Sequence, residues 1–348
     1  MFINKSKKAT TKDIITVEDK VAFLQQPSSY PYPVSEVKVK ETHMSWVFLI
    51  NDFVYKLKKP VKYIFFDHRS LQSRLKNSLE EIHINKSLAK DIYLDVVPIV
   101  VNEKGILQID GKGKIADWLV KMKRIPEENM LDYAIQHNCV DDTQLDQAAI
   151  LLAEFYKTTP PFPMTLTEYT SKLESEILFN YNQLSTPLFE LPHTLIKELT
   201  AGQRAFISAR QEIFDKRIAD KKIIDAHGDL RPEHICLAPQ AAIIDRLEFS
   251  KELRIMDMAE ELSFLSMECE MMGNAHTGRL FTDVYRKLTN DNIPRSLMIF
   301  YKIKKACLRA YLVARHVEES RYQDDPKWLT KANAYLQLAE SYHQQLAT

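Results

Sequence analysis

Hydropathy alternates with period two over the first third of this 348-residue chain and recurs at helical spacing over most of the rest. That division constrains the fold more than any other feature. Val37 and Val39, then Trp46 to Ile50, then Phe53 to Leu57 read as strands joined by polar turns at Glu41-Thr42-His43 and Asn51-Asp52, a β-meander. Leu71, Leu75, Leu79, Ile82 and Leu88 then recur with a helix period. Val96 to Val101 and Ile106 to Ile109 flank Asn102 to Gly105 as a hairpin, and Trp118 to Met122 reads as one more strand. Ahead of the meander, residues 1–20 are polar and expected to fray. Val17 to Gln25 reads as a short helix, which Pro31 and Pro33 prevent from continuing.

From Pro126 onward the pattern is mainly helical. Asp142 or Thr143 is placed to cap a helix whose apolar face is Leu145, Ala148, Leu152 and Phe155, and Thr158-Thr159-Pro160-Pro161 ends it. Further helices are expected over 166–183, 193–218, 257–271, 278–288, 295–319 and 327–345. The one β-rich insert among them spans Ile223 to Ile244. The expected class is therefore α+β in two lobes. Residues 1–124 form a small β-rich lobe with one helix, and 125–348 a large helical lobe, with the boundary near Met122 to Pro126.

Composition narrows the function classes. An apolar share of 45% suits a globular protein, and 47 basic against 47 acidic residues give no push toward nucleic acid or an anionic membrane. No run approaches the ~18 apolar residues of a membrane span. The start, MFINKSKKATTKDII, lacks the apolar core of a secretory signal. Cys139, Cys236, Cys269 and Cys307 form no C-x-x-C pair, which fits a reducing cytoplasm. Seven glycines leave no G-x-x-x-x-G-K-[ST] and no G-x-G-x-x-G phosphate loop.

The insert carries the chemistry. DAHGDLRPEHICLAPQAAIIDRLEF, Asp225 to Phe249, sets Asp229 and Asp245 on loops at the ends of short β-like runs. Phosphoryl transfer needs one carboxylate to accept the proton of the attacking hydroxyl and a second to hold the metal that bridges the phosphates. Arg231, two residues after the first, can steady the moving phosphoryl charge.

This stretch resembles the catalytic loop of the protein-kinase-like superfamily. His227-Gly228-Asp229 stands where kinases have H-R-D, and Asp229-Leu230-Arg231-Pro232-Glu233-His234 is similar to D-L-K-P-E-N. The glycine after the histidine is typical of the aminoglycoside phosphotransferase and choline kinase branch. Ile244-Asp245 looks like that branch's metal-binding aspartate, and Asp257-Met258-Ala259 its following D-L-A. The kinase asparagine is His234 here. Asp257 has two readings, a cap for its helix or a brace for the catalytic loop.

In the first lobe, Phe53-Val54-Tyr55-Lys56 resembles the kinase V-A-I-K, whose lysine contacts phosphates. Val54, Lys56 and Lys58 share one strand face, so Lys58 competes for the role. Glu81, on the helix that follows, is the expected partner of Lys56. Glu80 points about 100° away. Glu81-Ile82-His83-Ile84-Asn85 looks like the E-x-x-x-N of a bacterial subfamily of aminoglycoside-phosphotransferase-like proteins. Glu41 to Phe48, Lys56 to Pro60, Val120 to Arg124 and Glu260 to Leu265 also look like its motifs, so the resemblance spans about residue 25 to 320. Some members of that subfamily carry a further C-terminal ATPase domain with its own P-loop, a motif not found in this sequence.

Glu41 to Ser45 takes the place of a Gly-rich loop. Thr42 and Ser45 can offer hydroxyls to phosphate oxygens, and an ordinary hairpin turn is the alternative. Met122 to Ile125 is read as a hinge offering backbone groups to adenine, with Met122 as an apolar wall. Glu260, Glu261, Glu268 and Glu270 mark an acidic helix, by default a solvated face and alternatively a wall for a cation.

The resemblance implies an ATP-dependent phosphotransferase acting on a hydroxyl of a small molecule, with Mg²⁺, or Mn²⁺ as the alternative. Asp229 is base, Arg231 steadies charge, Asp245 holds metal with His234 as second ligand, or His234 only hydrogen-bonds Asp229 or the backbone, and Lys56, Glu81, Thr42, Ser45 and Met122 hold nucleotide. The rival readings are a nucleotide-binding pseudokinase and transfer of a nucleotidyl group. No nucleic-acid or membrane partner is expected, and the sequence names neither the acceptor nor the oligomeric state.

Overall fold

The structure is a computed structural model that describes residues 15–63, 66–319 and 325–347. Those residues form two compact units. The first holds 15–86 and Lys90–Arg124, and the second holds Ser87–Ala89 and the chain from Ile125.

The first unit is organised on an antiparallel sheet. After α1 (Val17–Leu24) come β1 (Val37–Glu41), β2 (Ser45–Ile50) and β3 (Phe53–Lys58), which pair in sequence. Two short strands, β4 (Lys62–Tyr63) and β5 (Phe66–Asp67), form a ribbon of their own that the hydropathy pattern did not mark. Helix α2 (Leu71–Ala89) leads to β6 (Tyr93–Val101), β7 (Leu107–Ile109) and β8 (Lys114–Lys123). Strand β8 inserts between β3 and β6, giving the order β1-β2-β3-β8-β6-β7. Alternate residues of these strands, among them Phe48, Ile50, Tyr55, Leu57, Ile99 and Leu119, supply the apolar core of the unit.

Two expectations for this unit need correction. Residues 1–14 lie outside the described residues, but 16–20 do not fray. Thr16 and Asp19 close a capping box on α1, and Lys20 on the first turns makes a buried ion pair with Asp117 at 2.6 Å. Asp117 also takes Arg74 of α2 at 2.8 Å. On α2 the apolar period holds in part: Ile82 and Leu88 are buried, but Leu79 is 52% exposed. Arg74, Ser78, Glu81 and Asn85 are buried as well, and Arg74 and Glu81 face inward because Asp117, Lys56 and Lys58 lie there.

The second unit is helical: α3 (Leu131–Gln136), α4 (Asp142–Thr158), α5 (Leu166–Leu184), α6 (His193–Ala209) and α7 (Gln211–Ala219) precede the insert. The insert holds β9 (Ile223–Asp225), β10 (Ile235–Cys236), β11 (Ala242–Ile243), α8 (Lys251–Arg254) and β12 (Ile255–Asp257). Then come α9 (Met258–Met271), α10 (Ala275–Thr289), α11 (Arg295–Ala314) and α12 (Lys327–Ala347). Strand β9 pairs with β12 and β10 with β11, both antiparallel. Asp141, rather than Asp142 or Thr143, caps α4 by accepting from the Gln144 N–H. The expected helix over 193–218 is two helices, because Arg210 leaves the helical region at φ −127°, ψ 35°. Helix α7 is held in its own direction by Arg217, which pairs with Asp257 at 2.7 Å and Asp291 at 2.6 Å. The core of the unit gathers α4, α5, α9 and α11 around the insert, with Leu145, Leu152, Tyr169, Leu265 and Phe300 fully enclosed.

Candidate active site

The loop after β9 is shaped by one glycine. Gly228 sits at φ +92°, and a Cβ there would lie 3.0 Å from Arg254 Cγ and 3.1 Å from Leu247 Cβ. Both the backbone angle and the space require glycine, which accounts for the H-G-D string. His227 is fully buried. Its Nε2–H donates to the Ile244 carbonyl at 2.8 Å, and its Nδ1 accepts from the Asp229 N–H at 3.3 Å. That tautomer is neutral, and burial pulls the imidazole pKa down to about 3. One buried side chain thereby ties the start of the loop to the segment that carries Asp245.

Asp229, Arg231, His234 and Asp245 come together beyond it. Arg231 Nη2 donates to Asp229 Oδ2 at 3.0 Å and to His234 Nε2 at 3.3 Å, and its other nitrogen pairs with Glu233. His234 Nδ1 donates to the Asp229 carbonyl at 2.7 Å, so its Nε2 is the acceptor nitrogen. That nitrogen lies 3.7 Å from Asp245 Oδ2. Burial by itself raises the Asp229 carboxyl, but the nearby positive charges, Arg231 first and Arg309 further off, outweigh it and hold the pKa at about 2. Asp229 is thus ionised at neutral pH while 30% of its side chain stays exposed. Asp245 adopts φ +61°, the left-handed region that aspartate tolerates better than most residues, with its side chain 46% exposed. A non-glycine residue held there is a common mark of a functional position.

Three braces set this geometry. Asp225, at the end of β9, accepts from Arg254 Nε at 2.6 Å and Arg246 Nη2 at 2.7 Å, and Arg246 Nε also donates to the Ala226 carbonyl. Glu261 of α9, fully buried, accepts from the N–H groups of His227 at 3.1 Å and Gly228 at 2.6 Å and from the Tyr156 hydroxyl at 2.8 Å. Burial pushes the Glu261 carboxyl up. Asp257 caps α9 through the Ala259 N–H at 2.8 Å and pairs with Arg217, so it braces β12 and α7, while Glu261 one turn on holds the loop that carries Asp229. The short string Asp257-Met258-Ala259-Glu260-Glu261 held the signal, since Asp257 and Glu261 stand four apart on one helix face.

The acidic helix is not a solvated face. Glu260 pairs with Lys304 at 2.8 Å and Lys305 at 2.9 Å, Glu268 with Arg309 at 2.9 Å, and Glu270 with Lys302 at 2.5 Å. The four cations all lie on one helix, α11, where Lys304 and Lys305 are buried and Lys302 and Arg309 partly buried. These carboxylates are internal because their partners are.

In the first unit, Lys56 and Lys58 both reach Glu81. Lys56 Nζ lies 2.9 Å from Oε1 and Lys58 Nζ 2.5 Å from Oε2, with side-chain exposures of 15% and 2%. The strand-face argument left the two lysines as competitors, and the fold brings both to one carboxylate. Asn85 donates to the Glu81 carbonyl at 2.9 Å, so the face-sharing of these two residues has a structural use. Thr42 Oγ1 accepts from the Ser45 N–H at 2.9 Å and donates to the Ser45 carbonyl, closing the β1–β2 turn, and Ser45 is buried. Met122 is a buried residue of β8, in register with Val54 on β3 and Tyr93 on β6.

Among the described residues, no three His, Cys, Asp or Glu side chains group as a closed metal site. The pair Asp245 and His234 does fit one side of a cation. The imidazole Nε2 and a carboxylate oxygen stand 3.7 Å apart, the kind of gap a single ion spans, and a cation there would have to displace the Arg231 Nη2 donor that now meets Nε2 at 3.3 Å.

The chain has the protein-kinase-like fold, as solved choline kinases and aminoglycoside phosphotransferases do. A choline/ethanolamine kinase family protein from Mesorhizobium loti matches with a TM-score of 0.55 at 16% identity, over 94% of this chain and 97% of that one. A choline kinase from Streptococcus pneumoniae gives 0.51 at 16% identity over 93% and 98%. The AMP-bound complex of a spectinomycin phosphotransferase gives 0.51 at 12% identity over 93% and 98%. At such identities the likeness speaks for the fold. Uncharacterized proteins of Mycobacterium tuberculosis and Mycobacterium bovis are 29% identical over 291 residues, 80% of this chain and 55% of theirs. The chain spans about half the length of these curated relatives. No family model matches it.

Proposed function

We propose that this chain is an ATP-dependent phosphotransferase acting on a hydroxyl of a small molecule. The observation that carries the reading is the convergence of an ionised Asp229, Arg231, His234 and Asp245 on one loop pair, with Arg231 3.0 Å from Asp229 and His234 3.7 Å from Asp245. Asp229 is the proton acceptor for the attacking hydroxyl. Its carboxylate is held charged, partly open to solvent, and fixed through a backbone that His227 and Glu261 pin. Arg231 lies within reach of the same oxygens and is placed to offset charge that gathers on the moving group. Asp245 and His234 would hold a divalent cation, which supplies charge neutralisation at the phosphates. With one imidazole nitrogen in the donor set, Mn²⁺ suits the pair better than Mg²⁺ does.

For the nucleotide, the reading rests on Lys56 and Glu81, with Thr42, Ser45 and Met122 nearby in the same unit. Charge supports it. Residues 1–124 carry 22 basic and 14 acidic side chains, whereas 125–348 carry 25 and 33, so the overall balance hides a basic unit suited to a polyphosphate. The AMP-bound phosphotransferase with the same fold points the same way. The Thr42 hydroxyl is engaged in its own turn, so phosphate contacts from this loop fall to backbone N–H groups. The test is Mg²⁺- or Mn²⁺-dependent ATP turnover, with Asp229→Asn as the variant. Loss of a general base costs about 10²–10⁴-fold in rate with little change in nucleotide affinity. Unchanged turnover in the variant would remove Asp229 from the reaction. Nucleotide binding without turnover in the native chain would favour the pseudokinase reading.

A further inference from the structure

The second unit holds a cavity of about 630 Å³ that none of Asp229, Arg231, His234 or Asp245 lines. That volume falls within the range of small-molecule sites. Its apolar walls come from Leu151 and Phe155 on α4 and from Phe162 in the segment that follows. That segment is fixed as an extra edge on β9: the Phe162 N–H donates to the Ile223 carbonyl at 2.8 Å. Phe162 is 36% exposed, unusual for a phenylalanine that could pack inward.

The end of the cavity beside these rings is cationic. Arg246 lies with its guanidinium carbon 5.1 Å from the Phe155 ring centre and is 7% exposed, and the Lys251 ammonium is 5.8 Å from the Phe162 ring centre. Both line the cavity. The carboxylate at this end, Asp225, is already shared by Arg246 and Arg254. Glu154 also lines the cavity but pairs with Lys157 at 2.8 Å. Both lining carboxylates are thus already neutralised, Asp225 by Arg246 and Arg254 and Glu154 by Lys157, and Lys251 adds a further positive charge.

We infer that this cavity binds a small organic anion with a flat apolar body, its ring between Phe155 and Phe162 and its carboxylate or phosphate toward Lys251 and Arg246. A bound ligand would bear on Asp225 and Arg246, the pair that fixes the entry to the catalytic loop and the residue after Asp245. The inference does not depend on the phosphotransferase reading.

The probes are para-(trifluoromethyl)benzoate and its neutral partner para-(trifluoromethyl)benzamide, titrated against the full chain by fluorine NMR. The benzoate should bind saturably and about fivefold or more tighter than the benzamide. Lys251→Glu, at an exposed position, should weaken the benzoate by about fivefold or more and leave the benzamide unchanged. Leu151→Trp, which fills the space, should remove both. Equal binding of the two probes, or a benzoate indifferent to Lys251→Glu, would overturn the anion assignment. Binding that survives in a folded Leu151→Trp would overturn the site. If that variant does not fold by circular dichroism, the Lys251→Glu comparison decides alone.

Discussion

Glu261 offers the sharpest perturbation of the candidate site, because it touches none of Asp229, Arg231, His234 or Asp245 and yet holds the loop that begins at His227. Replacing it by alanine strips the acceptor from two backbone N–H groups and one hydroxyl, all in a region where Glu261 itself is 0% exposed. Each buried donor left without a partner costs about 1–3 kcal/mol. Some relaxation and water entry are expected, so roughly 3–6 kcal/mol is the working figure for the three together. That is a large share of the ~5–15 kcal/mol that holds a domain folded. For a helical unit of roughly this size, 1 kcal/mol moves a melting midpoint by about 2–4 °C, so Glu261→Ala should melt about 6–24 °C early. Far-UV circular dichroism reads this directly. Glu261→Gln keeps the shape and one acceptor oxygen but turns an amide N–H₂ toward at least one of the donors. It should lose about 1–3 kcal/mol and, on the proposed function, lower the rate of ATP turnover more than nucleotide affinity. Tyr156→Phe removes one donor and should couple to Glu261→Gln by about 0.5 kcal/mol or more in a double-mutant cycle. A Glu261→Ala midpoint within about 2 °C of the native value would refute the claim that this carboxylate holds the loop.

The remaining predictions are shorter. His227 has its pKa depressed from 6.5 to about 3 in the fold, so the unfolded chain takes up a proton that the folded chain refuses. Its contribution to stability is complete above pH 6.5 and falls as pH drops toward 3, by up to ~1.4 kcal/mol per pH unit. Urea midpoints for native protein and His227→Gln at about pH 7 and pH 5 should converge on the acid side if this holds. Lys56→Met is expected to lower nucleotide affinity by about tenfold or more, measured calorimetrically with AMP or ATP, whereas the more deeply buried Lys58→Met should cost about 1–3 kcal/mol of stability. Equal effects of the two on both readouts would show that the lysines are not divided in this way. His234→Asn replaces an imidazole nitrogen by an amide oxygen and should swing turnover from Mn²⁺ toward Mg²⁺. An unchanged ratio of the two metals would exclude His234 as a ligand.

Some of this protein was written in local sequence. Period-two alternation marked the strands because alternate residues such as Phe48 and Ile50 on β2 and Tyr55 and Leu57 on β3 enter one core, and the spacing of Leu145, Ala148, Leu152 and Phe155 marked α4 for the same reason. The string from His227 to Asp245 was legible because its residues lie within one short stretch, and a turn can bring neighbours together without help from elsewhere. Partners far away in the chain decided the rest. Hydropathy alone would put Arg74 and Glu81 on the outer face of α2, and ion pairs to Asp117, Lys56 and Lys58 turn them inward. Lys20 meets Asp117 across 97 positions, and Tyr156 meets Glu261 across 105. A charged side chain is favourable inside a protein only where its counter-charge or donors already stand. Periodicity reads the side of an element a residue lies on, but the burial of a charge depends on a second residue whose place only the tertiary fold supplies.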